Sequence, residues 1–392
     1  MKGGAKRVVC MALPKQTASQ PSGAAILRQL EGYQDCSEST EALEMLKGGF
    51  GLADAPNLFT NRVDQIFRQE GLRPILSDGK IYVRHNEQGQ LILQVSAHMD
   101  DFKGTGERAQ LEWLRNLLRR HFGENVKMTI EDTFIHTCIR HTVVREKATA
   151  SDGSTQQFKI VLDQNDYAAA LKPVEHHSMA SLKDDVNLTG LLFSCYLTLL
   201  GALAWLMQTR IDVAVYVAYL QRYCKQPTAR HLRMMNRLLR FVHRSPKSLT
   251  YAQLPEPLSL VMVGDSAFQA PSKEEEAVDP LVMRGYVLAF AHETPNRQGD
   301  GSTHQLHLIE WSCGKQKHVC RGVWSSELHN QCDMVEMGTI ISAFAEEVRH
   351  GPGSAESIKT MLDRDQCHPV RRVHGFLFVV QLPSVAAPQV PH

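Results

Sequence analysis

No Cys-x-x-Cys pair occurs among the nine cysteines of this 392-residue sequence. An odd count without paired spacing excludes a disulfide framework and suits a reducing compartment. Cys313, His318, Cys320, His329 and Cys332 cluster in sequence, but their spacing fits no standard zinc site. Charge of one sign is lacking as well: 43 Lys and Arg stand against 42 Asp and Glu, a net +1. A surface for a polyanion must therefore come from local clustering. The apolar run at residues 8–13 is too short for a signal-peptide core, so the expected location is intracellular, cytoplasmic or nuclear, and not secreted. Residues 188–207 do reach the length of a bilayer span without a charge. Their Gly, Thr, Ser and Cys, and the Thr209-Arg210-Ile211-Asp212 that follows, favour a helix buried in a large domain over a membrane span.

What is present supports two or three domains with buried cores: 43% of residues are hydrophobic and 22% charged. The organising stretch is residues 91–103, LILQVSAHMDDFK, an apolar strand that ends in Asp100 and Asp101. Residues 80–84 form a second strand, and His85-Asn86-Glu87-Gln88-Gly89 supply a turn between them. The pattern predicts a β-hairpin with an acidic pair at the end of its second strand. Adjacent side chains leave a strand on opposite faces, so only a bent or strand-end geometry lets both carboxylates reach one ion. Carboxylates gathered at one point repel, and a divalent cation relieves this. A solvated turn is the plainer alternative, because short motifs of this kind recur by chance.

Helical spacing of Leu58, Val63, Ile66 and Phe67 predicts a helix from Pro56 to Gln69, stopped by Gly71. Leu111, Leu114, Leu117 and Leu118 predict another over 107–121. A third covers 228–243, where Arg230, Arg233, Arg237, Arg240 and Arg244 recur at steps of three and four along one face. Leu232, Met235, Leu239 and Val242 take the opposite side. Most charged faces are simply solvated, but five like charges on one stripe repel, and a phosphate backbone relieves that repulsion. Strands are predicted at 134–144 and 157–162 around Ser151-Asp152-Gly153-Ser154, and at 258–263, 284–291 and 304–311. Gly264-Asp265-Ser266-Ala267 closes the first of the last three, so Asp265 reads equally as a turn residue or a ligand. Ser325-Ser326-Glu327 opens a helix running toward Glu347, with serine available as its cap.

Gly48, Gly49, Phe50, Gly51 and Leu52, then Ala55-Pro56, and later Met99-Asp100-Asp101 resemble the reverse transcriptase of copia-type retrotransposon Pol polyproteins. In that family a "YGL-x-x-AP" segment precedes a "VDD" strand; His98 stands where the family has tyrosine. Tyr196, Gly201, Leu203, Trp205 and residues 209–213 and 237–242 are similar to the region after the polymerase core. Asp265, Gly285-Tyr286-Val287, Trp311-Ser312, Lys315-Gln316 and residues 325–328 are similar to the RNase H domain that follows it.

The resemblance implies an α+β chain. It places a partial reverse-transcriptase fingers and palm at 1–165 and a helical thumb or connection at 166–256. A partial RNase H-like mixed sheet with helices would occupy 257–370, and a disordered tail 371–392. It implies Asp100, Asp101, Asp265 and Glu327 as catalytic, metal-binding carboxylates, residues 48–51 as a substrate loop, and the five arginines as nucleic-acid contacts. Hard oxygen ligands beside phosphates favour Mg²⁺ (or Mn²⁺) and two-metal chemistry. The implied partners are an RNA/DNA hybrid or template–primer, with deoxynucleotides if the chain is active.

The family pattern also breaks. It has a third polymerase carboxylate on an early strand and a further aspartate on a late one. Residues 7–13 and 373–380, the strand-like candidates, carry no acid. Both carboxylate sets read as incomplete, and the chain as a fragment truncated at both ends: an RNA-directed DNA polymerase and RNase H remnant, inactive as it stands. The alternatives are a non-catalytic nucleic-acid-binding protein and a membrane-associated protein using residues 188–207.

Overall fold

The computed structural model describes residues 10–12, 15, 21–29, 34–35, 37, 42–44, 55–98, 101–145, 158–255, 258–267, 283–292, 305–353, 367–372 and 375–381. It is a mixed α+β structure divided into two compact units, Met1–Gly106 and Glu107–His392.

In the first unit, β1 (Cys10–Ala12) pairs antiparallel with β2 (Ala42–Glu44). Between them lies α1 (Gly23–Leu27), capped by Ser22, whose Oγ accepts the Ala25 N–H at 3.1 Å. The expected helix α2 (Ala55–Gln69) buries Val63, Ile66 and Phe67 at one-turn spacing, and Gly71 follows it at φ +84°. Leu58 lies off that stripe and is exposed. An antiparallel meander follows, ordered β3 (Arg73–Pro74), β4 (Ile81–His85), β5 (Leu91–His98), β6 (Asp101–Gly106). The β4–β5 turn forms because Asn86 Oδ1 accepts the N–H groups of Gln88 and Gln90, at 3.1 and 2.8 Å, while Gly89 takes φ +76°. Phe67 meets Tyr82 edge-on at 4.9 Å, and Leu72, Ile75, Val83, Leu93 and Val95 are buried in the same unit. Each side chain of that size contributes about 1.5–3 kcal/mol by burial, which is what holds this small unit together.

The second unit opens with α3 (Arg108–Phe122), which buries Leu114, Leu117 and Leu118 of the predicted stripe. Residues 134–144, expected as one strand, fold instead as a hairpin of β7 (Thr133–His136) and β8 (Ile139–Arg145). Thr137 and Cys138 make the turn at φ +49° and +66°, the twisted geometry that suits a two-residue hairpin. With neither Gly nor Asn at those positions, the turn had no visible signal. The Ser151-Asp152-Gly153-Ser154 turn lies outside the described residues. β9 (Phe158–Asp163) continues the sheet, and α4 (Asn165–Ala170) follows it.

Helices α5 (Gly190–Leu206), α6 (Ala214–Gln221) and α7 (Ala229–Arg244) share a core of Tyr196, Leu199, Leu203, Leu206, Val217, Leu232, Met235 and Leu239. This explains the uncharged run at 188–207. Among the described residues no helix is long and apolar enough to cross a membrane.

The chain then forms β10 (Leu249–Ala252), which pairs with β9, and β11 (Leu258–Ala267), β12 (Met283–His292) and β13 (Leu306–Lys315). Helix α8 (Val323–His350) lies on β11, and β14 (Cys367–Arg372) and β15 (Gly375–Gln381) complete a sheet ordered β13-β12-β11-β15-β14. Where a mixed sheet was expected, the pairings among the described residues are antiparallel, because β15 folds back on β14 and enters beside β11 from that side. Part of the expected tail is therefore strand: the apolar run 376–380 fills a place next to the central strand, while 373–374 and 382–392 lie outside the described residues. The expected boundaries at 165 and 256 fall inside the second unit. The β9–β10 pairing bridges the first, and the hydrogen bonds from Tyr251 Oη to the Leu308 carbonyl at 2.8 Å and from Trp311 Nε1 to the Met207 carbonyl at 2.9 Å bridge the second.

Candidate functional site

Asp265 belongs to strand β11 and not to a turn; it pairs with Gly285 of β12, and the ladder runs on to Ala267. β15 covers β11 only as far as Gly264, so the end of β11 stands beyond that neighbour. Helix α8 supplies what the sheet there does not. Asn330 Nδ2 donates to the carbonyls of Asp265 and Gly285, both at 3.0 Å, and Gln331 Nε2 donates to the Gly264 carbonyl at 3.2 Å. Such a close crossing needs small residues. A Cβ on Gly264 would lie 2.9 Å from Met334 Sδ, and one on Gly338 would lie 2.1 Å from Met262 Sδ.

That crossing delivers Glu327, in the second turn of α8, to the end of β11. The Ser266 N–H donates to Asp265 Oδ1 at 2.9 Å and to Glu327 Oε1 at 3.3 Å, so two carboxylates meet at one backbone donor. Burial pushes the Glu327 carboxyl above its ordinary range; the Asp265 carboxylate adds to the rise, and the Ser266 N–H opposes it. Glu327 Oε2 is buried without a hydrogen-bond partner. An orphaned carboxylate oxygen beside a second carboxylate fits a hard divalent cation, which would supply the missing charge and coordination. Among the described residues no group of three or more His, Cys, Asp or Glu side chains is placed to hold an ion. The Cys/His cluster near residue 320 forms no such group either; there the His318 and His329 rings stack at 4.6 Å. Helix α8 is capped by Gly322, and the serines available as a cap, Ser325 and Ser326, lie within its first turn.

The other acidic candidate is in the first unit. Asp101 is exposed at the start of β6, paired with His98 of β5. Asp100, and the substrate-loop residues Gly48, Gly49, Phe50 and Gly51, lie outside the described residues.

On α7 the five arginines do share one side, but they differ in what they touch. Arg230, Arg237, Arg240 and Arg244 are exposed. Half-buried Arg233 pairs with Asp184 and donates through Nη2 to the carbonyls of Met179 and Leu182, at 2.8 and 2.6 Å. It therefore ties the preceding loop to the helix. The first N–H groups of α7 are satisfied internally too: Ala229 donates to the Val186 carbonyl at 2.9 Å and Arg230 to the Asp184 carbonyl at 3.1 Å. Thr228 N–H donates to His231 Nδ1 at 3.0 Å, a histidine version of the capping box. Arg240 borders an open depression that His176, His177 and Asn236 also line.

Over 312 residues the chain is 24% identical to the retrovirus-related Pol polyprotein from transposon RE1 of Arabidopsis thaliana, covering 77% of this chain and 19% of that protein. Over 315 residues it is 22% identical to the corresponding polyprotein from transposon RE2, with the same coverage. The chain is similar to transposon Pol polyproteins. It spans about a fifth of the length of these curated relatives. No family model matches, and no solved structure matches.

Several residues that build the pair were not singled out by spacing or motif. Asn330 and Gln331 read as ordinary polar residues of a helix, and Gly338 as a weak helix former. Their signal was available: two adjacent amides and a glycine on the side of a helix that must also carry an apolar stripe are costly unless a strand approaches closely.

Proposed function

We propose that this chain is a retroelement-derived relative of Pol polyproteins that binds an RNA/DNA hybrid or template–primer, with a divalent cation held by Asp265 and Glu327. The single observation that supports it best is the convergence of those two carboxylates on the Ser266 N–H, with Glu327 Oε2 lacking a partner. On this reading the second unit carries an RNase H-like sheet and helix, the helical region acts as thumb or connection, and β5 and β6 belong to a polymerase palm. The cation is Mg²⁺ or Mn²⁺, and when bound it supplies positive charge that offsets the phosphodiester and activates water.

The chain's own residues do the rest. Asn330 and Gln331 fix the end of β11 by hydrogen-bonding the Asp265 and Gly264 carbonyls, so Asp265 is held beside Glu327. The Ser266 N–H orients one oxygen of each carboxylate and leaves Glu327 Oε2 for the ion. Exposed Arg237, Arg240 and Arg244 track phosphates without reading bases, which makes binding sequence-tolerant and strongly salt-dependent.

Manganese binding followed by electron paramagnetic resonance tests the reading. The intact chain should bind Mn²⁺, and the double variant Asp265→Asn, Glu327→Gln should lose that site while keeping its circular dichroism. Equal Mn²⁺ binding by both proteins would remove the carboxylate pair from consideration. In parallel, reversing Arg237 and Arg240 to Glu should weaken binding to an RNA–DNA hybrid and flatten its salt dependence. RNase H and primer-extension assays on the same proteins report whether binding is accompanied by turnover.

A further inference from the structure

The link between β13 and α8 combines features that neither the cation site nor the arginine helix uses. Lys317, His318 and Arg321 are exposed there, and no acid occurs between Lys315 and Ser326. Set among these cations are Val319, 94% exposed, and Trp324, 74% exposed. Two other tryptophans are tied to the fold by hydrogen bonds: Trp205, 40% exposed, donates through Nε1 to the Thr137 carbonyl at 3.2 Å, and Trp311 Nε1 to the Met207 carbonyl at 2.9 Å. Trp324 presents its ring to solvent instead. Leaving so large an apolar side chain in water forgoes about 1.5–3 kcal/mol of burial.

The link is also held in place. Gln316 is buried; its Nε2 donates to the Ser326 carbonyl at 3.3 Å, and its Oε1 accepts the Lys317 N–H at 3.0 Å. His318 stacks on His329 of α8. Little conformational entropy is therefore lost when a ligand docks on it. Along α8, Trp324 stands one turn before Glu327, on the same side of the helix.

We infer that Trp324, with Lys317 and Arg321, is a platform for single-stranded nucleic acid beside the carboxylate pair: the indole stacks on an unpaired base, and the two cations hold the flanking phosphates. This rests on reading the second unit as nucleic-acid-binding, and adds which form of nucleic acid the α8 end takes. Charge selects the occupant. An apolar protein partner would meet a cationic rim with no acid in it, whereas a polynucleotide supplies both the flat ring and the negative charge. Pairing selects the single strand, because bases in a duplex already stack on each other and hide the faces an indole would use.

Fluorescence anisotropy of the full chain with a labelled single-stranded oligodeoxythymidine and with a blunt RNA–DNA hybrid, both in EDTA, tests this. Trp324→Ala should weaken single-strand binding about tenfold, Trp324→Phe much less, and hybrid binding by either variant should change less than about twofold. Lys317→Ala and Arg321→Ala should each reduce the salt slope for the oligonucleotide by about one. Unchanged single-strand binding by Trp324→Ala would overturn the inference, and so would an equal loss on the blunt hybrid. Self-association removed by Trp324→Ala, with oligonucleotide binding intact, would assign the patch to a protein partner and overturn it as well. Because EDTA removes the cation, Trp324→Ala should weaken oligonucleotide binding by the same factor in the parent and in the Asp265→Asn, Glu327→Gln background. Failure of the cation site is thereby separable from failure of the platform.

Discussion

The arginine side of α7 and the carboxylate pair of α8 and β11 occupy one unit but are built in opposite ways. The arginines come from a single helix, and their common face follows from a repeat of three and four. The carboxylates come from a strand and a helix far apart in sequence, and they meet because Gly264 and Gly338 let the helix lie close to the strand. A face made by local periodicity tolerates substitution residue by residue. A pair made by tertiary approach depends on residues that never touch the ligand.

The strongest way to break the second kind is at the crossing. Gly338→Val adds bulk where even a Cβ would stand 2.1 Å from the buried Met262 Sδ. Forcing side chains into a packed crossing costs about 1–3 kcal/mol. Chemical denaturation should report that loss, and Glu327 should return toward an ordinary carboxyl pKa by NMR titration as it leaves Asp265. A variant that keeps both stability and the raised Glu327 value would show that the crossing does not position the pair.

A smaller effect divides the arginines themselves. Arg233→Ala leaves the carbonyls of Met179 and Leu182 without their guanidinium donor and removes the Asp184 pair. Losing these half-buried contacts costs about 1 kcal/mol, whereas Arg240→Ala at an exposed position should stay within about 0.5 kcal/mol. Hybrid binding should reverse the order, with Arg240→Ala lowering the salt slope more than Arg233→Ala. If Arg233→Ala is as stable as the parent, Arg233 belongs with the exposed phosphate contacts after all.

The same division marks what could be read before any coordinates. The helices at 56–69, 107–121 and 228–243 were legible because apolar residues recurred at one-turn spacing and Gly71 or Thr228 marked an end. The turn at Thr137 and Cys138 was not, since neither residue favours positive φ and only the flanking pairing imposes it. Asp265 was legible as a residue of interest but not as a strand residue: Gly264 resembles a turn residue until Asn330 and Gln331 are seen to need its closeness. Arg233 looked like its neighbours because periodicity assigns a side, not a partner.

Acidity provides the finest separation of the two regions, because the shifts have opposite signs. Burial and the nearby Arg230 push His231 below its ordinary 6.5, so the folded chain binds fewer protons there than the unfolded chain. Its contribution to stability is complete above that ordinary value and is lost as pH falls from it toward the depressed folded value. Burial and Asp265 push Glu327 above 4.5, so the folded chain holds more protons there, and its contribution is complete below 4.5 and lost as pH rises through the elevated value. Single variants isolate each slope. His231→Gln keeps an acceptor for the Thr228 N–H, as glutamine does in an ordinary capping box, and should erase the loss on acidification at little cost in stability. Glu327→Gln should erase the loss on alkalinisation above 4.5 and leave the His231 slope untouched. If denaturation midpoints across that range moved together in both variants, the two regions would be one cooperative titrating network and not the separate constructions that their hydrogen bonds describe.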